Sequence, residues 1–365
     1  VTDLRVPDLA QSVDGLAELS SDLPGQPLDL VALDDAVSDA SDLTRELSIP
    51  KDAAAEDETS LPDVSADLPV EDVPPMETVS PSQPGPYVVT TSSSEVQQGS
   101  RRTPVKAYIP QGIPGPIPLV VFFPGAQLKA DQFASLLTRM ASHGMVVVGA
   151  DPAFSPFSAD HVAMAKDGMA VLDWALGSAS GLAGLVDPQR IGAAGHSLGG
   201  KIATMLAFSD SRVQALLGID PVNGGSPLTG YSSKLPNIVP SQVQPLTIPL
   251  GFAGETTNSS GGTMGQSCAP AAQNFRTFYE AANSAVWAAE WDFVGADHMD
   301  FLDDPNCGMV CNMCTPGTAD PAAVRQGIWT LATAFFRRHL KQESEMDDTL
   351  TGSGLPAGVV VRKKP

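Results

Sequence analysis

The stretch Arg190 to Lys201, R-I-G-A-A-G-H-S-L-G-G-K, constrains this chain more than any other. Small and apolar residues from Ile191 lead into Gly195-His196-Ser197-Leu198-Gly199, and an apolar-periodic segment through Ile202, Leu206 and Phe208 follows. A G-x-S-x-G pattern between a predicted strand and a predicted helix marks a serine on a sharp strand-to-helix turn. Such a turn strains the serine backbone and leaves no room for neighbouring side chains, which explains Gly195 and Gly199. The helix N-terminus beneath it offers free N–H groups and a positive dipole end, suited to a developing oxyanion. A chance glycine-rich turn is the competing explanation of five letters. The flanking strand, the helix and a further glycine at Gly200 favour a nucleophile at Ser197. The rest of the chain must then supply a base, an acid and an oxyanion hole.

Apolar runs and helical spacings alternate along the chain. Short strands are expected at 87–91 and 105–109, followed by buried strands at 117–123 and 145–150 with a helix at 130–143 between them. A helix at 160–176, the nucleophile strand and helix, and strands at 213–219, 246–253 and 286–294 come next. Helices are expected at 271–282 and 321–340. Strands alternating with helices call for an α/β fold, a mostly parallel sheet covered by helices on both faces. The catalytic domain is expected over 86–342, with a polar tail at 343–365.

Five histidines could serve as the base. His143 ends a helix upstream of the nucleophile, His161 begins another, and His196 is the x before Ser197, its side chain directed away from the serine. His339 lies in the last helix beside Arg337 and Arg338. His298 remains, in G-A-D-H-M-D just past the last predicted strand, and the order Ser, acid, His is that of the α/β-hydrolase arrangement. Two acids stand at the carboxyl ends of predicted strands: Asp220, 23 residues after Ser197, and Glu255 after the next strand. Position alone does not choose between them. Asp297 is too close to His298 in sequence to orient it, and Asp300, Asp303 and Asp304 read as a solvated or loop-capping cluster. The oxyanion hole should combine the Leu198 N–H with one from the loop at 123–127, with Ala126 the first candidate and Gln127 the second.

The net charge of −21 is unevenly spread. Residues 1–85 carry 20 acidic and 3 basic residues, whereas the remaining 280 carry 22 and 18. The first segment repeats Asp, Leu, Val and Pro without aromatic residues, and so reads as a disordered acidic linker. It would suit a spacer that tethers a domain to a membrane or cell surface. No basic stretch suggests nucleic-acid binding, and no apolar run is long enough to cross a bilayer. The chain begins at Val1 without a leader, and one removed beforehand is the expectation. Four cysteines, Cys268, Cys307, Cys311 and Cys314, point to disulfides and an oxidising compartment, hence a secreted, cell-surface or periplasmic location. Free thiols and a zinc site, whose spacing C-x3-C-x2-C resembles only loosely, are the alternatives. Three pairings are open.

The pieces P-L-V-V-F-F-P-G, M-A-S-H-G-M-V-V-V-G-A, A-A-G-H-S-L-G-G-K, A-L-L-G-I-D-P-V-N-G, S-C-A-P and G-A-D-H-M-D-F-L-D-D, in this order over roughly 116–340, resemble the chlorophyllase family of α/β-hydrolases. The resemblance implies Ser197 as nucleophile, Asp220 as acid and His298 as base. Platelet-activating-factor acetylhydrolases are similar in placing an Asp after this strand. Cys268 and the later cysteines resemble those of plant chlorophyllases. Leu198 stands where plant members usually have Arg, and P-G-A-Q replaces their H-G-F-like loop, which shifts attention from chlorophyll to other hydrophobic esters. Secreted polyesterases and cutinase-like lipases share the P-G and G-H-S-x-G-G features. The implied activity is serine carboxylic-ester hydrolysis of a small or polymeric hydrophobic ester by a monomer, needing neither metal nor cofactor. The loops 221–245 and 261–268 would house the substrate. A non-catalytic binding protein of the same fold is the alternative from another class.

Overall fold

The computed structural model describes residues 79–155, 158–226, 229–261, 267–305 and 311–364. Most of the acidic segment expected at 1–85 therefore lies outside the described residues. Nine strands form one sheet: β1 (Val89–Gln98), β2 (Arg101–Pro110), β3 (Ile117–Phe123), β4 (Val146–Ala150), β5 (Val186–His196), β6 (Val213–Ile219), β7 (Leu250–Gly254), β8 (Ala288–Phe293) and β9 (Val359–Lys364). Their spatial order is β1-β2-β4-β3-β5-β6-β7-β8-β9. The six strands from β4 to β8 in that order are parallel, and β1, β2 and β9 run antiparallel at the edges. This is the α/β architecture that the alternation of elements predicts.

The helices are α1 (Ala134–Ser142), α2 (His161–Leu176), α3 (Leu198–Ser209), α4 (Phe275–Ala281), α5 (Pro321–Leu340) and α6 (Asp347–Thr351). The continuous apolar run of β3 is buried at every position, because alternate side chains meet different helix layers. Leu119, Val121 and Phe123 pack with residues of α2, α3 and α4. Val120 and Phe122 pack with those of α1, α5 and α6. Caps set several helix starts: Asp160 Oδ1 accepts the Ala163 N–H (2.9 Å) and Asn274 Oδ1 that of Arg276 (3.2 Å). The Asn274 cap explains why α4 begins later than the expected residue 271.

Two expected boundaries need correction. The domain does not begin at 86, because 79–85 is already tied to α1 and α5. Arg337 Nη1 donates to the Val79 carbonyl (2.6 Å), and the Gly85 N–H donates to Ser142 Oγ (2.8 Å). Nor is 343–365 a tail, since it contributes α6 and the edge strand β9, paired with β8 from Ala288↔Lys364 to Phe293↔Val359. Val359 and Val361 turn toward the core, while Arg362, Lys363 and Lys364 supply the charge that protects a sheet edge. The first hairpin is also longer than expected, because the solvent-facing Thr/Ser run of β1 remains paired along its length.

Candidate active site

Ser197 sits between the last residue of β5 and the first of α3, with φ 54° and ψ −121°. That is unfavourable for a residue with a Cβ and persists only where its surroundings enforce it. The Ser197 N–H donates to the Ile219 carbonyl (3.0 Å), and its own carbonyl accepts from the N–H groups of Gly200 and Val222. A Cβ on Gly195 would stand 2.3 Å from the Gly199 carbonyl, and one on Gly199 would stand 2.0 Å from the Phe123 carbonyl. Both glycines are thus required by close backbone approach rather than by turn propensity alone.

His298 reaches this turn from the loop after β8. Its Nε2 lies 2.9 Å from Ser197 Oγ, and its Nδ1 lies 2.6 Å from Asp220 Oδ2. Aspartates brace the loop: Asp297 Oδ1 accepts the Met299 N–H (2.8 Å), Asp297 Oδ2 that of Gly317 (2.9 Å), and Asp300 Oδ2 that of Asp297 (2.9 Å). Asp300 is therefore a buried loop cap and not solvated, and burial pushes its carboxyl up to about 6. Asp303 Oδ2 accepts the Ser135 N–H at the start of α1 (2.9 Å). His196, fully buried, lies 2.9 Å by Nε2 from the His298 carbonyl. Since a carbonyl only accepts, His196 donates there and fixes the backbone of the His298 loop.

Asp220 follows directly on β6 with φ 42°, its N–H donating to the Ala253 carbonyl (2.6 Å). Glu255, on the neighbouring chain exit after β7, stands beside Asp220 and makes no hydrogen bond to the histidine, whose Nδ1 and Nε2 face Asp220 and Ser197. Its backbone N–H donates to Asp220 Oδ1 (3.4 Å), and its Oε2 accepts the Asn258 N–H (2.8 Å). Oε1 is buried without a hydrogen-bond donor. Two carboxyls this close cannot both ionise. Burial and the charge of Asp220 push Glu255 up to about 9, so it carries the proton. Burial also pushes Asp220 upward, opposed by the backbone and side chain of Glu255. Burial holds His298 down at about 4, leaving a neutral imidazole able to accept a proton.

Asp220, Glu255 and His298 are also the one place among the described residues where three metal-ligand atoms lie within 4.8 Å of one another. Both ring nitrogens of His298 are already engaged, by Asp220 and Ser197, so no lone pair is left for an ion.

A cavity of about 620 Å³ opens at Ser197, lined by Ala126, Gln127, Phe154, Leu198, Val222 and Leu235 among others. The loop after β3 crosses its rim: a Cβ on Gly125 would lie 3.1 Å from the Ser197 Cβ, and Gln127 has φ 62°. The N–H groups of Ala126, Gln127 and Leu198 form no hydrogen bond among the described residues. Part of the 221–245 loop lines the cavity, whereas 262–266 lies outside the described residues. Cys268 and Cys314 form a disulfide, and Cys311 is also disulfide-bonded. Cys307 lies outside the described residues.

Sequence reasoning missed Lys201, fully buried one helical turn after Ser197, whose Nζ donates to the Gly224 carbonyl (2.7 Å). Its i+4 spacing from Ser197 was the available signal. The supporting place of Glu255 left no signal of its own.

The chlorophyllase family profile matches residues 79–356. Chlorophyllase-1 of Arabidopsis thaliana is 28% identical over 263 residues, covering 65% of this chain and 76% of the relative. Chlorophyllase type 0 of Chenopodium album is 25% identical over 252 residues, covering 63% and 69%. The chloroplastic chlorophyllase-1 of Citrus unshiu is 24% identical over 244 residues, covering 63% and 71%.

Proposed function

The chain belongs to the chlorophyllase family and is a carboxylic-ester hydrolase of the α/β-hydrolase type, and we propose that it works through Ser197, His298 and Asp220. The single observation that carries this reading is the hydrogen-bonded series Asp220 Oδ2, His298 Nδ1, His298 Nε2, Ser197 Oγ at the mouth of a mainly apolar cavity.

Ser197 Oγ attacks the ester carbonyl carbon as His298 Nε2 takes its proton. The carbonyl π pair moves onto oxygen, and the N–H groups of Leu198 and Ala126, with Gln127 as the second candidate, stabilise that oxyanion. The tetrahedral species collapses, breaking the bond to the alkoxy oxygen, which takes the proton from His298 and leaves as the alcohol. Water then attacks the acyl-serine with the same proton relay, releasing the acid and restoring Ser197. Asp220 keeps the Nδ1–H tautomer and stabilises the imidazolium that forms in each half-reaction. The substrate we propose is a hydrophobic ester, small or polymeric. Ala126, Gln127 and Leu198 line the cavity, at positions where this sequence departs from the Arg and H-G-F-like forms expected from its resemblance to plant members. A secreted or cell-surface setting is supported by the Cys268–Cys314 disulfide. No described helix is long and apolar enough to cross a membrane.

The test is a hydrolysis panel of short acyl esters, long acyl esters, polyesters and chlorophyll, paired with fluorophosphonate labelling. Ser197→Ala should lose both turnover and the label. Full activity in that variant would refute the proposal, and an unlabelled, inactive wild type would favour a binding protein.

A further inference from the structure

The cavity at Ser197 does not share the charge of the whole chain. The sequence holds 42 acidic and 21 basic residues, yet no Asp or Glu is among the described residues lining the cavity. Its titratable lining residues, apart from the serines and threonine, are His161 and Lys234. His161 opens α2 and is only 4% exposed. Its Nδ1 is buried with no hydrogen-bond partner. Burial, and then the charge of Lys201, pushes the imidazole down to about 3, so the ring is neutral at working pH. A neutral ring carries one N–H, and placing it at the partnerless Nδ1 is the costlier arrangement. The proton belongs on Nε2, which makes the ring a donor for the cavity it lines.

Lys201 lies beneath the same wall. Its only hydrogen-bond acceptor among the described residues is the Gly224 carbonyl, and its Nζ stands 5.6 Å from the Tyr231 ring centroid. Burial pushes its ammonium down to about 7, with no carboxylate opposing the effect. Lys234 is largely exposed and 3.9 Å from Asp160 Oδ2, while Asp160 Oδ1 is committed to capping α2. Three separated segments thus direct positive potential and an N–H donor at one hollow whose described lining holds no carboxylate, Asp160 beside Lys234 lying outside that lining.

We propose that this cavity selects half-esters, substrates whose ester group is accompanied by a free carboxylate that His161 and Lys234 receive. Lys201 acts from beneath, as a positioning residue for the Gly224 wall and as a source of field. This substrate class rests on the ester-hydrolase reading above, and its own signature is binding, which can be measured without turnover.

Calorimetry on Ser197→Ala protein with monomethyl adipate and dimethyl adipate, matched in length and differing in charge, gives the preference directly. The half-ester should bind at least about tenfold tighter. His161→Phe and Lys234→Met, each in that background, should reduce the preference to below about threefold, while His161→Gln, which keeps an N–H donor, retains it. Raising the salt concentration should weaken half-ester binding selectively. Equal or tighter binding of the diester, or a preference that survives both substitutions, would overturn the proposal. Should His161→Phe fail to fold, Lys234→Met and the salt dependence decide alone. Turnover by the Ser197 protein is scored separately: no hydrolysis of either ester together with no fluorophosphonate label on Ser197 refutes the hydrolytic mechanism and leaves the measured binding preference standing.

Discussion

Glu255→Gln separates a supporting carboxyl from a catalytic one. Glu255 is fully buried, its Oε2 occupied by the Asn258 N–H and its Oε1 without a donor. Burial and the Asp220 charge lift it from 4.5 to about 9. At pH 7 it is protonated and able to donate to Asp220. Holding a proton on a carboxyl of ordinary value 4.5 at that pH costs about 3 kcal/mol. Between 4.5 and about 9 the folded protein keeps a proton that the unfolded chain has released, so this group makes stability fall as pH rises through that window. A glutamine amide carries no such cost. It can accept from Asn258 through its oxygen and donate to Asp220 through its nitrogen. Glu255→Gln should therefore gain up to about 3 kcal/mol over wild type at pH 7, roughly 6–12 °C in Tm, and lose that advantage below pH 4.5. Denaturant unfolding at several pH values reads the stability. Steady-state hydrolysis should show kcat within a few-fold of wild type and no alkaline limb near 9, whereas Asp220→Asn should lose about 10⁴ in kcat by favouring the wrong tautomer. A 10⁴-fold loss in Glu255→Gln with Asp220→Asn spared would make Glu255 the acid. An alkaline limb that persists in Glu255→Gln would show that its proton plays no part.

On the proposed mechanism the acid limb is set by His298. Because burial holds it at about 4, kcat/KM for a neutral ester should persist well below the ordinary 6.5; half-loss near 6.5, measured by pH jump before any unfolding, would contradict this. Opening the Cys268–Cys314 bond, which spans 46 residues, should cost about 4 kcal/mol on the chain-entropy estimate, read from the denaturant midpoint of the double serine variant; a change below about 1 kcal/mol would show that the unfolded chain is already restricted. Arg362→Met should destabilise by about 2 kcal/mol, less than for a fully buried pair because Arg362 is half exposed. It strands the buried Glu290 at the β8–β9 edge, and Glu290→Gln in that background should recover part of the loss in thermal unfolding.

The elements that were legible share one property: their signal is local. The bounds 117–123 and 321–340 match β3 and α5 residue for residue, because an unbroken apolar run and a capped, Pro-initiated helix need no distant partner to be recognised. The G-x-S-x-G turn is legible for the same reason. β9 was illegible because Val359–Lys364 alternates over only six residues, three of them charged, and its pairing partner lies far upstream in β8. The acid is a subtler case. Asp220 and Glu255 leave adjacent parallel strands at equivalent ends, and both are compatible with a histidine arriving later in the chain. What distinguishes them is lateral placement beneath His298, which places one carboxylate at 2.6 Å from Nδ1 and the other beside the first. No spacing encodes that difference.

The cavity shows why composition is a poor guide to what such a site receives. An acidic chain with a hydrophobic-ester motif suggests an apolar or cationic ligand, and the uneven charge distribution only moves the acidity toward the N-terminal segment. Yet the groups at the cavity come from the first residue of α2, the first turn of α3 and a loop, at positions 161, 201 and 234. In sequence each is an isolated basic residue with an ordinary explanation: a helix start, a solvated lysine, a loop charge. Folding buries Lys201 completely and His161 nearly so; the imidazole is left a neutral N–H donor, and burial pushes the Lys201 ammonium down to about 7. A buried cation with one carbonyl partner is costly to maintain unless something else in the functional state repays it. A carboxylate arriving with the substrate would do so without leaving a permanent acid beside Ser197, where its charge would oppose the oxyanion that the proposed mechanism assigns to the Leu198 and Ala126 N–H groups.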